Sequence, residues 1–416
     1  MTPPPSRLSR QLGVRDAVVV GLGSMIGAGI FAALGPAADV AGSALLVGLA
    51  IAGIVAYCNA TSSAALAAVH PSSGGTYVYG RARLSPFWGY LAGWGFVVGK
   101  TASCAAMALT LGAYAAPAWE RPIAVAAVVV LTAVNYFGVR KTVAVTGVLV
   151  FLVLVALAVV VATALASGDV DPSRLEGTGD VGPFGILRSA GLLFFAFAGY
   201  ARIATLGEEV VDPARTIPKA IPRALGITLV VYAVVATTSL LAVGPGALAS
   251  SEAPLATVAG AGGAAGGWAA GVVRAGGAIA ALGVLLSLIA GVSRTTFAMA
   301  ADRELPHWLA AVHPVHSVPH RADVVIGATI VTVVALTDLR GAIGFSSFCV
   351  LGYYAITNAA ALTLPPEHRR WPRPLQAAGL LGCVVLAFTL PAASIVAGAA
   401  VLAAGAVVRQ VRRLTA

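Results

Sequence analysis

Two glycine-bearing stretches and one lysine lie deep inside long apolar runs, where polar chemistry is least expected. The first stretch reads Gly23-Ser24-Met25-Ile26-Gly27-Ala28-Gly29-Ile30-Phe31, and the second Phe194-Phe195-Ala196-Phe197-Ala198-Gly199-Tyr200. A glycine inside a helix costs about 1 kcal/mol relative to alanine. Each stretch therefore either packs closely through small residues or unwinds. Unwinding exposes N–H groups at a half-helix start, which attract an anion, and carbonyls at a half-helix end, which attract a cation. A zwitterion satisfies both. Unwound backbone at membrane depth is tolerated only where it lines a cavity, and a pair of Gly-interrupted segments in corresponding halves points to a central binding site.

The lysine is Lys100, in Gly95-Phe96-Val97-Val98-Gly99-Lys100-Thr101-Ala102-Ser103. It stands about fifteen residues, or ~22 Å at 1.5 Å per residue, from the start of its apolar run. That is too far for its ammonium to snorkel to water, so it is expected to face the protein interior. There it either holds a fixed charge against backbone carbonyls or titrates. All sixteen Asp and Glu residues fall in loops or near the ends of apolar runs, so no carboxylate stands at mid-membrane. The six histidines also fall in loops. His307, His313, His316 and His320 are dense but alternate with prolines and lack acidic or cysteine partners, so no metal is expected there. Cys58, Cys104, Cys349 and Cys383 are widely spaced in apolar segments and read as small buried hydrophobes. No P-loop is present to couple ATP, and no nucleophile–base pair or cofactor motif points to an enzyme.

The elements that must position these groups are membrane helices. The chain has 416 residues, 59% hydrophobic and 10% charged, against roughly 25% charged in a soluble domain. Apolar runs fall near 16–36, 40–68, 85–116, 122–139, 143–166, 184–207, 218–243, 272–300, 323–338, 341–364, 375–391 and 393–408. These make about twelve transmembrane helices, the last two divided only around Pro391. The run after Arg15 is too long for a signal peptide. With the N-terminus inside, the inner segments carry nineteen Lys and Arg and the outer ones five, which places both termini in the cytoplasm. The net charge of +10 is thereby explained by membrane orientation, without nucleic acid. The loops are too short for a separate domain, so 1–416 reads as a single transmembrane unit whose work is done between its helices.

Further stretches make the sequence recognisable. The loop Glu208-Glu209-Val210-Val211-Asp212-Pro213-Ala214-Arg215-Thr216-Ile217-Pro218-Lys219-Ala220-Ile221 matches the pattern E-E-x-x-[ND]-P-x-R-x-I-P-x-A-I, and Pro71-Ser72-Ser73-Gly74-Gly75-Thr76-Tyr77 matches P-x-x-G-G-x-Y. With the two glycine stretches, these resemble the amino acid–polyamine–organocation (APC) superfamily over the whole chain. The resemblance implies an all-α LeuT-type fold, a five-plus-five inverted repeat. Its first repeat would span about 14–166, its second about 184–364, with two extra helices at about 375–408, and helices 1 and 6 interrupted. It implies a substrate site over Ile26, Gly27, Ala28 and Gly29, with N–H groups on a carboxylate. The carbonyls around Phe195, Ala196 and Phe197 would take the α-ammonium, Phe195 would form an aromatic lid, and Ala198 and Gly199 would let the helix break. Glu208, Glu209 and Arg215 would belong to a cytoplasmic gate.

One departure bears on energy coupling. Several family members carry a lysine on the fifth span, whereas here that region reads Phe151-Leu152-Val153-Leu154. Lys100 is the candidate replacement. The expected function is a plasma-membrane secondary transporter working by alternating access, with proton-linked uptake of neutral amino acids. A polyamine permease would need acidic groups in its cavity, and an exchanger is the other alternative. Oligomeric state is not readable from the sequence.

Overall fold

The computed structural model describes residues 11–70, 74–138, 143–167, 169–176, 181–204 and 209–414. The first apolar run forms α1 (Val14–Met25) and α2 (Ala28–Ala41). It is followed by α3 (Leu45–Val69), α4 (Thr76–Arg83), α5 (Pro86–Ala115), α6 (Glu120–Tyr136) and α7 (Val143–Ala166). After the short α8 (Ser173–Glu176) comes the sixth run: α9 (Pro183–Phe197), a 3-10 turn at Ala198–Tyr200, and α10 (Ala201–Ala204). Then come α11 (Pro213–Ser250), α12 (Pro254–Gly260), α13 (Gly266–Ala301) and α14 (His320–Leu336). The chain closes with α15 (Leu339–Leu362), α16 (Arg373–Thr389) and α17 (Ala392–Leu414). The last two part at Pro391, and His320 opens α14 rather than lying in a loop.

The fold is all-helical. Among the described residues β-pairing is confined to one parallel bridge, Leu12 with Val210, and nine segments are long and apolar enough to cross a membrane. This is a multi-pass membrane protein. α7 shows the effect of the lipid solvent most clearly. Its run of Val and Leu would favour strand in water, but a hydrocarbon core forces every backbone group to be satisfied within the segment. Phe151, Val148 and Val155 stay exposed on its outer face.

α5 is the central helix: 89% of its apolar window is buried, against 17% for the Pro117–Tyr136 segment and 22% for α17. It packs against α13 and α15. At Gly99 an added Cβ would come within 2.7 Å of Cys349 Cβ, so α5 and α15 approach through small residues. Interhelical hydrogen bonds supplement this packing. Ser103 and Ser346 hydroxyls lie 2.6 Å apart, and Asn358 donates to Asn59 Oδ1 at 2.6 Å while accepting from Ser62 Oγ at 2.6 Å. All four cysteines are free and buried.

The charges gather at the two ends of the bundle. Where α5 starts, Arg81 pairs with Asp302 at 2.8 Å and Arg409 with Glu304 at 2.7 Å. Where α5 stops, Arg340 pairs with Asp39, Arg121 donates to the Ala335 carbonyl at 3.1 Å, and Arg274 to that of Ala113 at 3.4 Å. α11 bends near this second end at Gly244, whose φ of 75° precedes Pro245.

Candidate functional site

α1 stops at Met25 and α2 starts at Ala28, leaving Ile26 and Gly27 outside either helix. The N-cap of α2 is Gly27, which has no side chain to cap the N–H groups that open this helix. On the sixth run α9 closes at Phe197 and tightens into the 3-10 turn, where Ala198 N–H turns back to the Phe195 carbonyl. A 3-10 stretch inside a helix marks a hinge or strain. Both glycine stretches are therefore interrupted.

The tertiary fold brings the two interruptions into backbone contact. A Cβ on Gly199 would fall on the Ser24 carbonyl and lie 2.8 Å from Met25 N, and one on Gly29 would lie 2.7 Å from Ala196 Cα. Only glycine permits this approach. The crossing sets the N–H end of α2, which has no side-chain cap, against the carbonyl end of α9. Ile26, Phe195, Ala196, Phe197 and Ala198 are all buried there.

Three side chains hold the loosened carbonyls. Lys100, buried in α5, donates to the Ala198 carbonyl at 3.5 Å, and Tyr354 of α15 donates to the same oxygen at 3.3 Å. Among the described residues no carboxylate forms an ion pair with Lys100. Tyr232 of α11 reaches both breaks: its hydroxyl lies against the Met25 carbonyl and 3.1 Å from that of Ala196. A phenol has one proton to donate, so Tyr232 bonds one break or the other. Tyr232→Phe leaves a buried carbonyl unpaired, at about 1–3 kcal/mol. The variant is expected to lower the thermal midpoint in detergent and to reduce uptake roughly tenfold, and wild-type uptake by it would show that Tyr232 is dispensable.

The glycines and Lys100 stand out in the sequence, whereas Tyr232 and Tyr354 do not. The available signal was a tyrosine inside an apolar run, because a buried phenol hydroxyl needs a partner. Beside the first break lies a narrow cavity of about 10 Å³, lined by Ile26, Gly27, Val150, Val153 and Val284 among others. That is room for about one water. α7 contributes apolar side chains here, with Phe151 and Leu152 turned outward, so the fifth run supplies no cation.

The loop residues lie elsewhere. Glu208 and residues 71–73 are outside the described residues. The Glu209 carbonyl accepts from Gln11 N and Leu12 N, both at 3.0 Å, and Val211 N donates to the Leu12 carbonyl at 2.9 Å. The segment before α1 is thus tied to the segment entering α11. Arg215 is largely exposed and pairs with Asp212 at 3.6 Å. His313, His316 and His320 pack their rings around Tyr136, with centroids 5.2, 6.3 and 6.1 Å from it. Among the described residues no group of three or more His, Cys, Asp or Glu is arranged to hold a metal ion.

Residues 12–409 match the profile of the Amino acid permease family. The chain belongs to the amino acid permease family. The permease is 62% identical over 413 residues to an uncharacterized transporter of Mycobacterium tuberculosis (strain ATCC 25618 / H37Rv), covering 99% of this chain and 93% of that one. It is 25% identical over 397 residues to the branched-chain amino acid permease BcaP of Bacillus subtilis (strain 168), covering 90% and 84%. It is 29% identical over 385 residues to the chloroplastic cationic amino acid transporter 7 of Arabidopsis thaliana, covering 85% and 65%. The permease is accordingly a membrane transport protein of the APC superfamily.

Proposed function

We propose that this permease is a secondary active carrier that takes up neutral amino acids by alternating access, driven by protons. The observation that carries the reading is the crossing, where the N–H end of α2 opposes the carbonyl end of α9. The N–H groups of Gly27, Ala28 and Gly29 would hold the carboxylate, and carbonyls from Phe195 to Phe197 the α-ammonium. Phe195 would act as the lid. Each N–H or carbonyl carries only a partial charge, and this matches a zwitterion better than a polyamine, which would need carboxylates. Among the described residues no carboxylate pairs with Lys100 at the crossing. The name of the branched-chain relative favours a neutral apolar side chain. Lys100 is the coupling candidate, and the loop with Glu208, Glu209 and Arg215 the cytoplasmic gate, through its tie to the N-terminal segment.

The fold proposed with this function is the LeuT-type inverted repeat, about 14–166 and 184–364, followed by two helices at about 375–408. Counting α2 and α3 separately and adding α14 and α16 to the remaining apolar segments makes twelve spans. The end of the bundle holding Arg81, Arg303 and Arg409 would be cytoplasmic by its excess of basic residues, with the carrier in the plasma membrane.

The test is uptake of radiolabelled amino acids and polyamines into proteoliposomes, with and without an imposed proton or sodium gradient. Uptake of a neutral amino acid, stimulated by an inward proton gradient, is the expected result. Counterflow without gradient dependence would make the protein an exchanger. If no amino acid is taken up or displaced in any format, the reading is wrong.

A further inference from the structure

At the end of the bundle where α5 starts, away from the crossing, the last turns of α17 meet the turn that follows α13. Arg409, Arg412 and Arg413 there converge with Asp302, Arg303 and Glu304 around a cavity of about 200 Å³. We propose that this cavity binds a phosphate-bearing anion, such as the headgroup of an anionic phospholipid.

Charge is the first argument. Glu304 is clasped by Arg409 through both oxygens, at 2.7 and 3.0 Å, and Arg413 lies 3.5 Å away. Asp302 accepts from the Tyr77 hydroxyl at 2.6 Å and from Arg81 at 2.8 Å. Four guanidiniums (Arg303, Arg409, Arg412, Arg413) thus line the cavity with two carboxylates, and Arg81 pairs with Asp302 from beside it, so the site carries a net excess of positive charge. Membrane orientation alone asks only that basic residues lie on one side, not that they converge. Arginine is the side chain whose planar fork matches phosphate oxygens.

The backbone gives a second, independent argument. α13 ends in a Schellman turn, with Arg303 N–H on the Ala300 carbonyl at 3.1 Å and Glu304 N–H on that of Met299 at 2.9 Å. The residue in the left-handed position of such a turn is usually glycine. Here it is Arg303, at φ 60°, at a cost of roughly 1–2 kcal/mol. A strained residue that lines a charged cavity points to a function for its side chain. Position is the third argument. Arg409 lies over the rings of Tyr90 and Phe87, at 5.1 and 5.9 Å, and Phe87 and Trp88 are exposed beside it. Aromatic side chains gather at headgroup depth, and clustered arginines next to a membrane helix attract anionic lipid.

The test is the thermal midpoint of the full-length protein in neutral detergent, titrated with phosphatidylglycerol, phosphatidylcholine or inorganic phosphate at constant ionic strength. Phosphatidylglycerol should raise the wild-type midpoint saturably and phosphatidylcholine should not. Arg303→Gln with Arg412→Gln should raise the half-saturating concentration at least about tenfold. Arg303→Gly guards against misfolding. It should equal or exceed wild type without additive, because glycine relaxes the left-handed turn, yet still need on the order of tenfold more phosphatidylglycerol. Stabilisation by inorganic phosphate with the same dependence on these variants would support the site and make free phosphate its ligand. Absence of stabilisation by both phosphatidylglycerol and phosphate, or equal half-saturation in wild type and variants, would overturn the proposal.

Discussion

Gly199→Ala is expected to reduce uptake to background. The new methyl would land on the Ser24 carbonyl and lie 2.8 Å from Met25 N, so its obstacle is backbone, which cannot rotate away. Overpacking against side chains typically costs 1–3 kcal/mol (about that range), and here relief requires moving one broken helix off the other. Gly29→Ala meets Ala196 Cα at 2.7 Å and its Cβ at 3.0 Å. Uptake there should fall at least about tenfold. The controls are Gly226→Ala in α11 and Gly291→Ala in α13, where an added methyl meets nothing within 4 Å. These should transport normally and gain about 0.5–1 kcal/mol of helix stability. Uptake in proteoliposomes, alongside thermal midpoints in detergent, separates the pairs. Wild-type transport by Gly199→Ala would mean that the breaks do not need this contact.

The second large effect is expected at Lys100. Replacement by Gln removes a buried ammonium from the Ala198 carbonyl, 3.5 Å away. Hydrogen bonds to charged groups contribute about 1.5–3 kcal/mol, so uptake should fall roughly ten- to a hundredfold. The discriminating measurement is the pH dependence of what remains. A titrating Lys100 predicts that Lys100→Gln flattens the profile of uptake against pH, while counterflow without a gradient is lost less. A purely structural lysine predicts a lower rate with the wild-type profile, and rescue by Lys100→Arg at every pH. An unchanged rate with unchanged pH dependence would remove Lys100 from the mechanism altogether.

These residues differ in how far they could be read from the chain alone. Gly27, Gly29 and Gly199 were visible because glycine at the centre of an apolar run is costly in a helix wherever that helix sits. Lys100 was visible for a similar reason, since a charge at that depth is expensive whatever surrounds it. Tyr232 carried no such mark. A tyrosine is compatible with an apolar span, and its role lies in carbonyls 207 and 36 residues away in sequence, at Met25 and Ala196. Arg303 has no mark in the sequence to set it apart from other arginines, because its left-handed backbone and its neighbours on α17 exist only in the fold. The gate residues are a mixed case: the loop pattern was clear, yet Arg215 turns to solvent and the contact at Glu209 is made by its backbone.

Hydropathy and motif spacing along the chain are enough to specify a multi-pass, all-helical permease, and its mid-span glycines mark two helices as candidates for a break. Hydropathy, glycine cost and buried charge act within single segments, and a bilayer reads each segment separately. The touching of the two breaks through Gly199 and Gly29, the reach of Tyr232 to either of them, and the placement of Lys100 against Ala198 arise only in the folded chain. Those contacts depend on helix rotation and close approach, which follow from the summed packing of many small side chains along α5, α13 and α15. No single stretch of sequence carries that sum.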